Sequence, residues 1–323
     1  MSASNEHFLI IGARGFIGSW ICRLLVEEGI AVTATDASPD PRSLNSVLDA
    51  RHLGRIRYVV SDARNPEETA RLISDDVTHV IYLAGLLRPA SENDPLLSSQ
   101  VSIGGLINVL NSSVKRKGRL GVAYSSTAAI YGPGSSYAEG RITDGSLPMP
   151  QDHYGIHRHT MEMTAEVFFR QHGVTSIGLR PWVVYGAGRF NGLSAQPSLA
   201  MVAAAAGAPF HIQFGGRNVV HHVRDVALGF IRGVRCDLGG ALRANIPGES
   251  IEMQDLIEII CRCAPEARGS LTCESKGLGQ PELLDDPTLE KLIGRLPSPT
   301  EERVRETIAD YRALLAQGRI TFP

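Results

Sequence analysis

The sequence predicts an α/β fold on a parallel sheet, as one large unit or one unit with a smaller lobe, from three observations. The apolar run Phe8 to Ile11 leads at once into Gly12-Ala13-Arg14-Gly15-Phe16-Ile17-Gly18 and then into an amphipathic stretch from Ser19 to Glu28. A second apolar run, Ile30 to Thr35, ends in Asp36, eighteen residues beyond Gly18. A third, Val77 to Leu83, is β-branched in the manner of a strand buried on both faces and ends in Ala84-Gly85.

The glycine stretch reads as a strand, a turn and a helix start. Gly12 supplies the positive φ of a tight turn, Gly15 lets backbone approach a pyrophosphate, and Gly18 lets the helix lie close on the sheet. N–H groups at the start of that helix face a phosphate along the positive end of the helix dipole. Asp36 is placed to accept hydrogen bonds from the adenosine ribose hydroxyls. An acid there repels a 2′-phosphate and favours NAD, whereas Arg14 and Arg42 are the residues that could pair with the phosphate of NADP, the less favoured cofactor.

Composition bounds the rest. A chain of 323 residues with 43% hydrophobic content buries a large core. A net charge of -2 with dispersed Lys and Arg argues against nucleic acid, and Lys115-Arg116-Lys117 reads as a solvated helix end. Five cysteines without paired C-x-x-C spacing fit free thiols in a reducing, cytoplasmic setting rather than a disulfide frame or zinc site. The N-terminal apolar segment reads as a core strand, not a signal peptide, and no run suits a membrane span.

Along the chain, Ile56 to Val60 reads as a strand delivering Asp62 and Ala63. Asp62 either reaches the adenine amino group or caps a helix from Pro66 to Ile73. Leu83, Ala84 and Gly85 keep side chains out of the crevice where backbone must approach a ligand. Leu96 to Leu110 has helical apolar spacing, with Asn108 as a helix-to-loop tether. Strand Gly121 to Tyr124 delivers Ser125, Ser126 and Thr127 to the carboxyl edge of the sheet, where a hydroxyl meets a substrate oxygen or simply builds the loop. Tyr154 and Arg158 lie four apart at the head of a helical pattern, so a cation sits beside a phenol and favours its ionised form, or merely stacks on it.

These residues together resemble the extended short-chain dehydrogenases/reductases, which include nucleotide-sugar epimerases and dehydratases. The glycine turn with Phe16-Ile17-Gly18, Asp36, Asp62, Leu83-Ala84-Gly85, the Ser-Ser-Thr strand end before Tyr131-Gly132, Tyr154-Gly155 with Glu162, and Leu179-Arg180-Pro181 before Val184-Tyr185-Gly186 all fall in family order. The resemblance implies an α/β fold with a doubly wound parallel sheet (Rossmann) binding NAD and a smaller C-terminal substrate-binding lobe, with Pro181 also at the cofactor. It implies Tyr154 as general acid/base, Thr127 orienting the reacting oxygen, and Arg158 at the nicotinamide ribose. It further implies a homodimer through two helices, Leu96 to Leu110 and Tyr154 to Gln171, whose apolar residues (Ile103, Leu106, Met161, Phe168, Phe169) exceed one buried stripe.

The departures from the family pattern narrow the chemistry. Arg158 replaces the family's lysine with a permanent charge that cannot relay a proton. His157 adds a group titrating near neutrality, or is an exposed helical histidine. His153, His157 and His159 do not share one helix face, so no metal is expected. Ala128 and Ala129 stand where dehydratases carry acids, which disfavours dehydration. Val183 and Asn218 stand where many nucleotide-sugar epimerases contact a diphosphate, although Arg217 and Arg189 could substitute. Ser126, Arg180 and Arg189 are the candidate substrate contacts.

The remaining chain forms a second lobe. The expected division is 1–180 for the dinucleotide-binding unit, with a return near 216–240, and 181–215 and 241–323 for the substrate-binding lobe. Asp225 is placed to cap a helix from Val226, and Ser298-Pro299-Thr300-Glu301 to start the last one. The expected activity is NAD-dependent hydride transfer to or from a secondary alcohol or ketone of a small polyol, sugar or hydroxy acid. The alternatives are a sugar epimerase and a non-catalytic NAD(P)-binding sensor or scaffold.

Overall fold

The computed structural model describes residues 6–40, 44, 46–143, 145–296 and 300–322. Its main sheet has seven strands in the spatial order Ala241–Asn245, Ser176–Arg180, Gly121–Ser125, His79–Tyr82, His7–Ile11, Ala31–Asp36 and Ile56–Val60. Every pairing within it is parallel. The chain winds outward from His7–Ile11 in one direction and then returns to its other side. That reversal opens the crevice at the strand ends where such sheets take ligands.

Alternation along the first strand separates two cores. Phe8 and Ile10 pack with Trp20, Leu24, Phe230 and Val234 on one face. Leu9 and Ile11 pack with Leu106, Val109 and Met161 on the other. The helix Phe16–Glu27 lies against the helix Val223–Arg235. Ala241–Asn245, expected from sequence in the substrate lobe, pairs with Ser176–Arg180 as the edge of the main sheet. An edge strand of five residues carries too little periodicity to announce its sheet.

The second lobe holds a three-stranded sheet of Glu249–Glu252, Arg217–His222 and Val183–Tyr185, flanked by the helices Gln196–Ala206, Met253–Cys263 and Thr300–Ala316. His222, not Asp225, caps the helix Val223–Arg235 by accepting from Arg224 N–H, while the Asp225 carboxylate lies 3.3 Å from Arg303. Ser298 and Pro299 lie outside the described residues. The segment expected as one helix over Leu96 to Leu110 is instead a helix Pro95–Ser99, a π-helical turn Gln100–Gly104 and a helix Gly105–Lys115. The Tyr82 hydroxyl donates to the Val101 carbonyl inside that turn, and a side chain inserted into the ladder is a usual cause of such a bulge. No helix among the described residues is long and apolar enough to cross a membrane.

Candidate active site

The glycine turn has the geometry expected of it. Gly12 takes φ +85°, its N–H donates to the Thr35 carbonyl, and a Cβ on it would lie 2.7 Å from the Ala84 nitrogen. No side chain caps the following helix and no acid stands in its first turn. Its first N–H groups therefore open on a cleft of about 860 Å³, in which Gly15, Phe16, Ile17, Gly18, Leu83 and Gly85 are wall residues. That arrangement fits a pyrophosphate.

Asp36, half-buried at its strand end, accepts from the N–H groups of Arg14 (3.4 Å) and Ser38 (3.3 Å), and the Arg14 guanidinium stands 3.8 Å from it. Arg14 thus faces the acid, while Arg42 lies outside the described residues. Asp62 does not cap the helix that follows it. Arg64 forks on to its carboxylate at 2.6 to 3.0 Å, and those side-chain hydrogen bonds hold the carboxyl below its ordinary range. The helix cap is Asn65, which accepts from Glu67 and Glu68 N–H. The Ala63 carbonyl accepts from Asn108, the tether read from sequence.

Across the cleft, Tyr154 stands in the first turn of the helix His153–His172. Asp152 caps that helix by accepting from Gly155 N–H at 2.7 Å, and Glu92 accepts from the N–H groups of His153 and Tyr154. Two acids on separate segments therefore pin the turn that carries the phenol. Arg158, one turn on, is buried with its guanidinium carbon 5.4 Å from the centre of the Tyr154 ring. Its Nη1 donates to the Ser125 carbonyl at 2.7 Å, while Nε is buried without a partner. Thr127 accepts from Ala129 N–H at 3.2 Å, which leaves its O–H free to donate into the cleft.

Two candidate substrate contacts are used elsewhere. Ser126 is fully buried and donates to Glu162 at 2.6 Å. Arg180 closes a fork on Glu162, with Nε and Nη2 each at 2.7 Å, and gives its Nη1 to the Tyr131 hydroxyl. Burial alone would raise the Glu162 carboxyl, but hydrogen bonds from Arg180, His159 and Ser126 hold it down at about 2. Ser126 and Arg180 therefore brace Thr127 and Pro181 from behind and do not face the cleft. Glu162, eight residues past Tyr154, and Arg180 each carried a sequence signal, but nothing in their spacing paired one with the other.

His157 is buried, with Nδ1 3.0 Å from the Ser98 hydroxyl, and burial keeps it neutral more readily than a free imidazole. It is not the exposed helical residue its flanks suggest. Among the described residues no group of three His, Cys, Asp or Glu could hold a metal. Arg189 does line the cleft. Its Nη2 donates to Ser194 at 2.9 Å and its guanidinium lies 5.5 Å from the Phe16 ring centre. Sequence reasoning passed over Arg88, Trp182, Ser194 and the segment Leu278 to Gln280, which close the same cleft from four parts of the chain.

A phosphate-ready glycine turn at a topological switch point, facing a phenol, a cation and a hydroxyl, defines a dinucleotide-dependent enzyme of the short-chain dehydrogenase/reductase kind. The chain matches the model of the NAD dependent epimerase/dehydratase family over residues 8–235 and belongs to that family; its cofactor is NAD. It is 24% identical over 286 residues to the CDP-paratose 2-epimerase of Salmonella typhi, covering 78% of this chain and 84% of that one. It is 25% identical over 275 residues to the D-erythronate dehydrogenase of Cupriavidus necator, covering 80% and 82%. Some other relatives are matched over about half their length, among them a UDP-glucose 4-epimerase of Azospirillum brasilense at 51%. In fold, the chain is similar to a UDP-glucose 4-epimerase from Thermotoga maritima, with a TM-score of 0.80 at 24% identity over 96% of this chain and 99% of that one.

Proposed function

We propose that the protein is an NAD-dependent dehydrogenase interconverting a secondary alcohol and its ketone on a small polyol, sugar or hydroxy acid. The observation that carries this reading is the stacked Tyr154–Arg158 pair in the same cleft as the Thr127 hydroxyl and the glycine turn. In oxidation, the Tyr154 phenolate takes the proton of the substrate hydroxyl. The Thr127 O–H donates to that same oxygen and orients it. The buried Arg158 charge stabilises the phenolate and holds no proton to relay. Bound NAD supplies the hydride acceptor at the carbon.

A non-nucleotide substrate is supported by the groups at the diphosphate positions. Val183 is apolar, and the Asn218 amide is spent on the Gly215 and Gly216 carbonyls. Arg217, the first possible replacement, pairs with Glu252 at 3.3 Å. A sugar epimerase is the second reading, favoured by the Salmonella typhi relative. Supplying NAD with candidate alcohols separates the two, since a dehydrogenase accumulates NADH and an epimerase interconverts stereoisomers without net NADH. The working form in this reading is a homodimer in the cytoplasm, in keeping with five free cysteines.

A further inference from the structure

Charge in the cleft is unbalanced. Arg88, Arg158 and Arg189 line it, against Asp152 as the one acid among the described lining residues. Arg88 is paired with Asp152 at 2.9 Å, and Arg158 is tied to the Ser125 carbonyl beneath Tyr154. Arg189 has no acid. Its one hydrogen-bond partner is the neutral Ser194 hydroxyl, its Nε is closed off from solvent without an acceptor, and burial lowers its affinity for its proton. A guanidinium partly withdrawn from water is stabilised by an anion, because the cost of desolvation is offset by pairing.

We infer that Arg189 is the receptor for a carboxylate on the substrate, which makes the substrate a small hydroxy acid or its keto acid rather than a neutral polyol or sugar. This rests on the dehydrogenase reading above and names its substrate class. The guanidinium is planar and presents paired donors, so a carboxylate meets it in a fork. Phe16 beneath it and Ser194 beside it hold that plane at the cleft wall. A diphosphate bears two charges and asks for more than one cation, and both other cleft arginines are committed. The cofactor pyrophosphate has its own receptor in the uncapped helix start. With the carboxylate anchored on Arg189 and a hydroxyl on Thr127 and Tyr154, the carbon between them is presented in one orientation.

The test uses the NAD-loaded protein and matched pairs of probes, D-glycerate with glycerol and L-threonate with L-threitol, in binding and in turnover. The acids bind and the alcohols do not. Arg189→Gln weakens acid binding by about 10- to 100-fold, as expected for one charge-assisted contact, and Arg189→Lys recovers part of it. The NAD dissociation constant stays within about twofold in both variants, since the pyrophosphate receptor is untouched. Equal binding of acid and alcohol, unchanged acid binding in Arg189→Gln, or weakened NAD binding would each overturn the inference, the last by making Arg189 a pyrophosphate ligand. Consumption of a sugar nucleotide with loss in Arg189→Gln would assign the residue to a diphosphate and overturn it as well. Acid binding that depends on Arg189 without NADH formation would leave the carboxylate receptor standing and refute the dehydrogenase reading instead.

Discussion

Arg158 fills the space a side chain at Gly85 would need: a Cβ there would lie 2.1 Å from Nη2 of Arg158. The cation beneath the phenol and the absence of a side chain at the strand end are therefore one device. Gly85→Ala displaces a buried guanidinium held to the Ser125 carbonyl, and we expect turnover to fall by at least about tenfold through loss of that charge. Arg158→Lys, with a slimmer head, should restore part of the rate in the Gly85→Ala background. A double-mutant cycle measures this, and strict additivity of the two changes would show that Gly85 acts on something else.

Tyr154→Phe keeps the ring and its stacking but removes the proton acceptor. Turnover should fall by at least about a hundredfold, the low end for general acid/base work, with NAD affinity unchanged. Steady-state rates and fluorescence titration of NAD read the two separately. Retained turnover would move the chemistry away from the phenol.

In the proposed reading Asp36 meets the adenosine ribose of the cofactor, and Arg14 is turned toward it. NAD should bind more tightly than NADP by at least about tenfold, the effect of placing two anions together. Asp36→Ala removes the repulsion and frees Arg14, so the preference should shrink or reverse. Titrating both cofactors against intrinsic fluorescence checks it; tighter binding of NADP by the wild type would refute the assignment.

The residues read from sequence as surplus on the two helices are partly core, with Leu106 and Met161 fully buried. A different set is exposed: Leu96 at 68%, Ile156 at 46%, Met163 at 44% and Val167 at 38%. Ile156, Met163 and Val167 recur at spacings of seven and four, one face of the Tyr154 helix. We expect a dimer at micromolar concentration by light scattering, and a monomer in the double variant Met163→Asp, Val167→Asp. A monomeric wild type would remove the basis for the interface.

Burial pushes His221 down to about 4 and His222 to about 3. In the unfolded chain both imidazoles take a proton near 6.5, so below that pH the unfolded state binds more protons and stability falls. The loss for His221 continues to about pH 4 and for His222 to about pH 3, each adding about 1.4 kcal/mol per pH unit within its window. Urea unfolding between pH 7.5 and 5 should show this slope, reduced by about one proton in His221→Gln. An unchanged slope in that variant would mean that His221 is not neutral in the fold.

What the sequence determined by itself was local. Gly12 to Gly18 announce a turn and a helix start because φ and close approach act within seven residues. Asp36 follows at a distance set by one helix and one strand, and Tyr154 and Arg158 meet because a helix turns every 3.6 residues. Tertiary structure decided which polar groups neutralise one another. Arg180 and Ser126 look like site residues until Glu162 claims both, Arg217 looks available until Glu252 meets it, and Ala241–Asn245 finds its sheet only when Ser176–Arg180 is beside it. Arg189 has the flanks of any loop arginine, and only the packed chain leaves it without an acid among the described residues. Partner choice is settled by packing across long sequence separations, where spacing carries no signal and burial makes each unpaired charge costly.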